Sequence, residues 1–227
     1  PGKVVSGDVI FYDDNKEIKI PLDPTKTARE NSQKYFDRYG KLKRTAEALD
    51  TLLAETKAEI DHLESIQNSL DIALSADDLV QIKQELTEYG FIKKHRTGKK
   101  EKVKSKPFHY LSSDGYDMYV GKNNYQNDEL TFKFATGNDW WFHAKGMPGS
   151  HVIVKNKGEE MPDRVYEEAA MLAGYYSKGR ESDKIEIDYL QKKNVKKPAG
   201  SAPGFVVYYT NFSMTIHPDI SALTLLE

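Results

Sequence analysis

The sequence predicts an α+β protein: an antiparallel coiled-coil helical hairpin followed by a mixed, mainly antiparallel α+β domain. Three observations carry that prediction. Apolar residues repeat at spacings of four and three from Tyr35 to Leu74. After Phe108, short aromatic and β-branched runs alternate with Gly, Pro, Asn and Asp clusters, the punctuation of strands and turns. Charge also divides the chain: residues 1–90 hold 12 Lys and Arg against 18 Asp and Glu, and residues 91–227 hold 21 against 17. Two parts with different surroundings follow from such a split.

Residues 1–24 read as a β-hairpin remnant of an upstream domain, with Val9-Ile10-Phe11-Tyr12 and Ile18-Lys19-Ile20 flanking Asp13-Asp14-Asn15. Such a hairpin is marginal alone. The chain opens Pro1-Gly2 without methionine, so it is expected to be a piece of a longer protein, and its targeting is not legible.

Residues 25–90 form the predicted hairpin of helices. Thr25 or Thr27 can cap the first. Tyr35, Tyr39, Leu42, Ala46, Leu49, Leu53, Thr56, Ile60, Leu63, Gln67, Leu70 and Leu74 then fit the heptad template. Ser75-Ala-Asp-Asp resembles a new N-cap. Leu79, Ile82, Leu86 and Tyr89 give a shorter return stripe that covers only part of the long arm. The expected result is a projecting arm with unequal helices.

Residues 91–107 read as a basic linker. Eight basic residues, Lys93, Lys94, Arg96, Lys99, Lys100, Lys102, Lys104 and Lys106, face one acid, with no apolar periodicity to fold them. They serve either as a solvated spacer or as a phosphate-binding strap, since lysines near a nucleic-acid backbone release counterions.

Residues 108–227 form the α+β domain. Asp114-Gly115 is a hairpin turn signal, and Tyr116 to Val120 is the returning strand. Residues 128–135 are ambiguous between helix and strand. Trp140-Trp141-Phe142 and Val152-Ile153-Val154 flank a Gly-Met-Pro-Gly corner. A helix starts near Met161-Pro162-Asp163 and runs through Ser177. Strands are expected at Lys184–Tyr189, Phe205–Tyr209 and Met214–His217.

Composition limits the chemistry. There is no cysteine, which removes disulfides, thiolate zinc sites and cysteine nucleophiles. No run of about 18 apolar residues exists to cross a membrane. Asp139, His143 and His151 match no metal-binding spacing, and Ser150-His151 lacks a nucleophile elbow. No cofactor, metal or catalytic residue is expected, and the chain is not read as an enzyme.

Nucleic acid is the most economical ligand. Both tryptophans and two of the six histidines crowd one loop mouth, where Trp140 or Trp141 can stack a base and His143 and His151 can bind its edge. The candidate RNA-binding residues are Lys93, Lys94, Arg96, Lys99, Lys100, Lys122, Asn123, Asn124, Asn127, Trp140, His143, Lys145, Ser150, His151, Lys192, Lys193, Lys196 and Lys197. Aromatics among positive charges suit single-stranded or looped RNA. As a site residue, His151 replaced by Ala is expected to cost under about 1.5 kcal/mol. Pro148-Gly149 fixes a corner closed to other side chains if Gly149 has positive φ.

Four motifs in order carry a family resemblance: D-G-Y-D-M-Y-V-G-K-N-N-Y-Q-N-D (Asp114 to Asp128), D-W-W-F-H-A (Asp139 to Ala144), P-G-S-H-V (Pro148 to Val152) and K-K-P-A-G-S-A-P-G-F-V (Lys196 to Val206). They resemble the NFACT-R domain of the RqcH/NEMF family, whose bacterial members are also called FbpA-like fibronectin/fibrinogen-binding proteins. I-P-L-D-P-T-K-T and the following E-N-S-Q-K-Y-F-D-R-Y (Ile20 to Tyr39) resemble the start of that family's coiled-coil middle region. The resemblance implies a bacterial ribosome quality-control factor that engages obstructed 50S subunits and supports tRNA-dependent alanine tailing of the stalled chain. Its implied partners are the 50S subunit, rRNA and tRNA, and its implied location is the cytoplasm. The family's aspartate–arginine pair for tRNA handling lies in the NFACT-N domain, so no tRNA-selecting residue carries over. The older name implies an alternative: a surface adhesin binding host fibronectin or fibrinogen, with no visible export signal.

Overall fold

The computed structural model describes residues 9–13, 16–93 and 105–226. Contacts divide the chain into two units, Pro1–Ala58 and Glu59–Glu227.

In the first unit, β1 (Val9–Asp13) and β2 (Lys16–Ile20) pair antiparallel, with Val9 opposite Ile20. The 45-residue helix α1 (Ala28–Ile72) begins here and contributes to both units. Thr27 caps it. The Glu30 carboxylate accepts from the Thr27 backbone N–H at 2.8 Å, and Thr27 Oγ1 accepts from the Glu30 N–H at 3.3 Å, which satisfies two otherwise orphaned groups. Buried Asn31 ties the entry segment down by exchanging bonds with the Asp23 backbone, at 2.8 Å and 3.0 Å.

In the second unit, α2 (Ala76–Glu88) starts at a capping box formed by Ser75 and Asp78. The face that the end of α1 buries is not the predicted heptad stripe. Ile66, Asn68, Ser69 and Ile72 are buried, whereas Leu63, Leu70 and Leu74 are exposed. The burying surface is the sheet domain: Asn68 donates to the Tyr176 carbonyl at 3.3 Å, and Ile72 joins the main core. Docking on a third element thus overrides the seam that a self-paired hairpin would use.

Seven strands form one sheet: β3 (Phe108–Leu111), β4 (Asp117–Val120), β5 (Trp140–Ala144), β6 (Val152–Val154), β7 (Ile185–Gln191), β8 (Phe212–Ile216) and β9 (Thr224–Leu225). Their order is β8-β7-β5-β6-β4-β3-β9, with every neighbouring pair antiparallel. The protein is α+β, as predicted. The ambiguous segment is helical: α3 (Asn124–Glu129) passes directly into a π-helical turn at Leu130–Phe134. One expected strand is absent, since residues 205–209 make only a single bridge, Val207 to Lys196. β8 already occupies the edge of β7, and β9 occupies that of β3. Tyr208 instead packs against Trp141 and donates to Asp188 at 2.8 Å.

Strand alternation separates two apolar clusters. Phe142, Ala144, Val152, Val154 and Ile187 face α4 (Asp163–Tyr175), which buries Val165, Ala169 and Leu172 on them. Trp141, Ile153 and Leu190 face the other way, under Leu130, Ala135 and Val195. The sheet is therefore covered on both faces.

Candidate nucleic-acid interface

The β5–β6 hairpin sets Trp141 opposite Ile153 and Phe142 opposite Val152. Trp140 and Trp141 consequently point to opposite faces. Trp141 is fully buried, while Trp140 is partly exposed against Tyr166. His143 stacks on Trp141 at 5.6 Å, and His151 meets it edge-on at 5.1 Å. The two imidazoles lie perpendicular at 5.4 Å. They do meet across the loop, with His151 inside the protein and His143 partly exposed. His151 is 2% exposed. Its Nδ1 shares a 2.8 Å hydrogen bond with Thr131 Oγ1, and its backbone N–H donates to Asn127 Oδ1 at 2.9 Å. Burial pulls the His143 pKa down to about 4 and that of His151 well below its ordinary value, the neighbouring His143 adding to the effect. Both rings are neutral at pH 7, as uncompensated burial of charge requires.

Several predicted contacts are therefore internal. Ser150 is buried and donates its backbone N–H to the Tyr176 carbonyl at 2.9 Å. Asn123 caps α3 and donates to Gln81 at 2.6 Å. Buried Asn124 donates to Ser65 and Glu85, each at 2.8 Å. Asn127 is held under Gly121, where any Cβ would collide with its side chain. Ser150, His151 and the three asparagines offer no solvent-facing surface; they build the scaffold beneath one. Asp139 is occupied by Lys155 at 2.5 Å and by the Asn156 and Thr136 N–H groups. Among the described residues no three metal-ligating side chains gather.

The lysines differ in the same way. Lys122 is largely covered, paired with Asp78 at 3.4 Å and lying 4.5 Å over Phe108. Lys145 pairs with Glu186 at 2.5 Å and approaches Asp188 at 3.9 Å. Lys93 is exposed, whereas Lys94, Arg96, Lys99 and Lys100 lie outside the described residues. Lys192 and Lys197 lie beside the π-helical turn, with exposed Lys193 and Lys196 on the same segment. Lys192 and Lys197 lie 5.8 Å and 6.0 Å from the Phe132 ring, and the Lys193 N–H donates to the Gly137 carbonyl at 3.1 Å. Lys197 also pairs with Asp128 at 2.5 Å.

The same π-helical turn carries Phe134, the end of a row of rings that the sequence alone does not single out. His109 stacks on Tyr119 at 4.4 Å and 8°, and Tyr119 meets Phe134 edge-on at 4.7 Å. Phe134 is 41% exposed, with Lys155 4.8 Å above its ring. Exposed Lys133 sits between Phe132 and Phe134 on the turn. Phe205 and Tyr209, on the segment bridged to Lys196, are also exposed. A stacking row edged by lysines can take up unpaired bases and their phosphates. A usable signal was present in F-K-F, an aromatic–basic–aromatic triplet on an otherwise ambiguous segment.

Residues 8–105 match the model for NFACT N-terminal and middle domains, and residues 106–209 match that for the NFACT protein RNA binding domain. The solved C-terminal part of the fibronectin/fibrinogen-binding protein from Streptococcus suis superimposes with a TM-score of 0.77 at 42% identity, covering 86% of this chain and 77% of that one. The chain belongs to the NFACT family. Among curated NFACT relatives, the Rqc2 homolog RqcH of Streptococcus pneumoniae (strain D39) is 43% identical over 92% of this chain and 37% of its own length. That of Bacillus subtilis is 35% identical over 96% and 38%. The chain thus spans somewhat over a third of these relatives. The matched NFACT RNA-binding domain contains the aromatic row and the four lysines at 192–197.

Proposed function

We propose that this chain is the RNA-engaging portion of a bacterial ribosome quality-control factor. In that reading the whole protein engages 50S subunits carrying an obstructed nascent chain, contacts rRNA and tRNA, and supports tRNA-dependent alanine tailing in the cytoplasm. Peptide-bond formation belongs to the ribosome, so the chain acts as a binding and positioning factor, not an enzyme. The observation that carries the reading is the lysine-edged aromatic row on the domain matched to an RNA-binding family.

The test is co-sedimentation of the full-length protein with 50S subunits, with salt titration of RNA binding by this chain. Replacing Lys192, Lys193 and Lys196 by Ala should lower affinity and reduce the salt slope by about 2, at roughly 0.7 per lost phosphate contact on single-stranded RNA. Phe134→Ala should weaken binding by about 1–3 kcal/mol without changing the slope, because stacking releases no counterion. Unaltered 50S association in both variants would remove this face from the function. The name of the Streptococcus suis structure favours a second reading, host fibronectin or fibrinogen binding at the cell surface. Fibronectin capture by the wild-type chain that is lost in the lysine variant, without any 50S association, would favour it.

A further inference from the structure

The opposite face of the sheet carries a cleft of a different character. Trp140, Tyr166, Tyr189, Phe212 and Met214 wall a cavity of about 420 Å³, with Glu160, Asp163 and Glu167 also lining it. The rings form a continuous surface. Trp140 meets Tyr166 edge-on at 4.9 Å and Tyr189 at 6.0 Å, and Tyr189 stacks on Phe212 at 5.5 Å. Phe212 is 61% exposed, a large apolar ring presented to solvent on the edge strand. The three carboxylates are exposed. The adjacent cation, Arg164, turns to Glu168 at 3.1 Å instead, and among the described residues none of the three acids forms an ion pair. Glu160 and Asp163 lie close enough to help raise the Tyr166 phenol pKa, after burial and Tyr189.

Negative ring faces and unpaired carboxylates attract an organic cation and repel RNA phosphate. The volume lies at the lower end of the usual range for ligand sites, about 300–1,000 Å³, which suits one long side chain. A second hollow of about 350 Å³, lined by Glu167, Met171, Met214, Thr215, Ile216 and His217, continues the groove along α4 and β8. β8 is the last strand of the sheet, so an extended chain can run beside it. We propose that this cleft binds an arginine side chain from a basic, extended segment of a partner protein. Arginine fits better than lysine because its planar guanidinium stacks on a ring while its forked donors reach carboxylates. The two faces of one sheet then serve different partners.

The test uses the full chain and two synthetic peptides of equal length, one alternating Gly with Arg and the other Gly with Lys. Binding is followed by NMR at the Trp140 indole, with buried Trp141 as internal control. The arginine peptide should shift Trp140 and bind about fivefold more tightly than the lysine peptide. Phe212→Ala and the Asp163→Asn/Glu167→Gln pair should each weaken it about fivefold while leaving RNA binding and the melting temperature unchanged. Equal affinity for both peptides, shifts that bypass Trp140, or undiminished binding by both variants would overturn the proposal.

Discussion

At the residue scale, the histidine pair shows how a motif can be recognised while its two members differ in exposure. His143 and His151 do converge on Trp141, but His151 is buried there and only His143 keeps partial exposure. His151→Ala should therefore cost about 2–4 kcal/mol, through a cavity and the lost Thr131 partner, in place of the small cost expected of a surface site. Denaturant unfolding measures this, and a loss below 1 kcal/mol would return His151 to the interface. The pair also predicts a pH dependence. In the unfolded chain both rings titrate near 6.5, whereas His143 falls to about 4 in the folded state and His151 also lies lower. The unfolded state therefore binds more protons below pH 6.5. Stability present above that pH should decline as pH falls toward 4, by up to about 1.4 kcal/mol per pH unit for each histidine. A flat unfolding free energy between pH 7 and 5 would contradict buried neutral rings. Gly149 illustrates a right position with a wrong cause. The left-handed residue of the loop is Gly146, with φ 65°, whereas a Cβ on Gly149 would come within 3.0 Å of Ser177 Cβ. Gly149→Val should still damage the fold, through close packing.

At the element scale, what the sequence reveals depends on whether an element's partner is local. The β3–β4 hairpin, the β5–β6 pair and α4 are legible because their turns and periodicities are self-contained. The π-helical turn is not, since five residues with alternating Leu130, Phe132 and Phe134 satisfy either period. The heptad stripe of α1 is regular in sequence, yet Leu42, Leu49, Leu53, Ile60, Leu63 and Leu70 are exposed, so periodicity alone does not say what packs on them. Near Ile72 the helix docks on the sheet domain through Asn68 and Ile72. Farther back, Leu49 and Leu53 are 51% and 66% exposed. Substituting exposed side chains rarely changes stability by more than about 0.5 kcal/mol, so Leu53→Gln should be nearly silent in this chain. A loss above 1.5 kcal/mol on denaturation would show that this stripe is already packed in solution. At the start of α2, Ser75→Ala removes a cap whose loss typically costs about 1 kcal/mol.

At the scale of the whole molecule, the sequence suggests a boundary near residue 107, where the basic linker meets the first strand of the sheet. The two family models also divide there, at residues 105 and 106, while contacts group residues 59–227 into one unit, because α2 is welded to the sheet domain by side chains distant in sequence. Glu85, fully buried, accepts from Asn124 at 2.8 Å and lies 2.8 Å from His62 Nε2. Gln81 accepts from Asn123 and Gln126, and Tyr125 donates to Glu88. Composition cannot reveal such bonds, since both ends read as ordinary polar residues on separate elements. They make a testable claim about cooperativity. Ile82 is buried on α2 at 2% exposure, and Ile→Ala in a core costs about 2–5 kcal/mol. Both tryptophans lie on β5, so their fluorescence reports melting of the sheet and not of α2 itself. If α2 is part of the same unit, Ile82→Ala should lower the tryptophan-reported midpoint by about 4–20 °C, at 2–4 °C per kcal/mol for a domain of this size. An unchanged tryptophan midpoint with early loss of helical signal would make α2 an appendage that melts apart from the sheet.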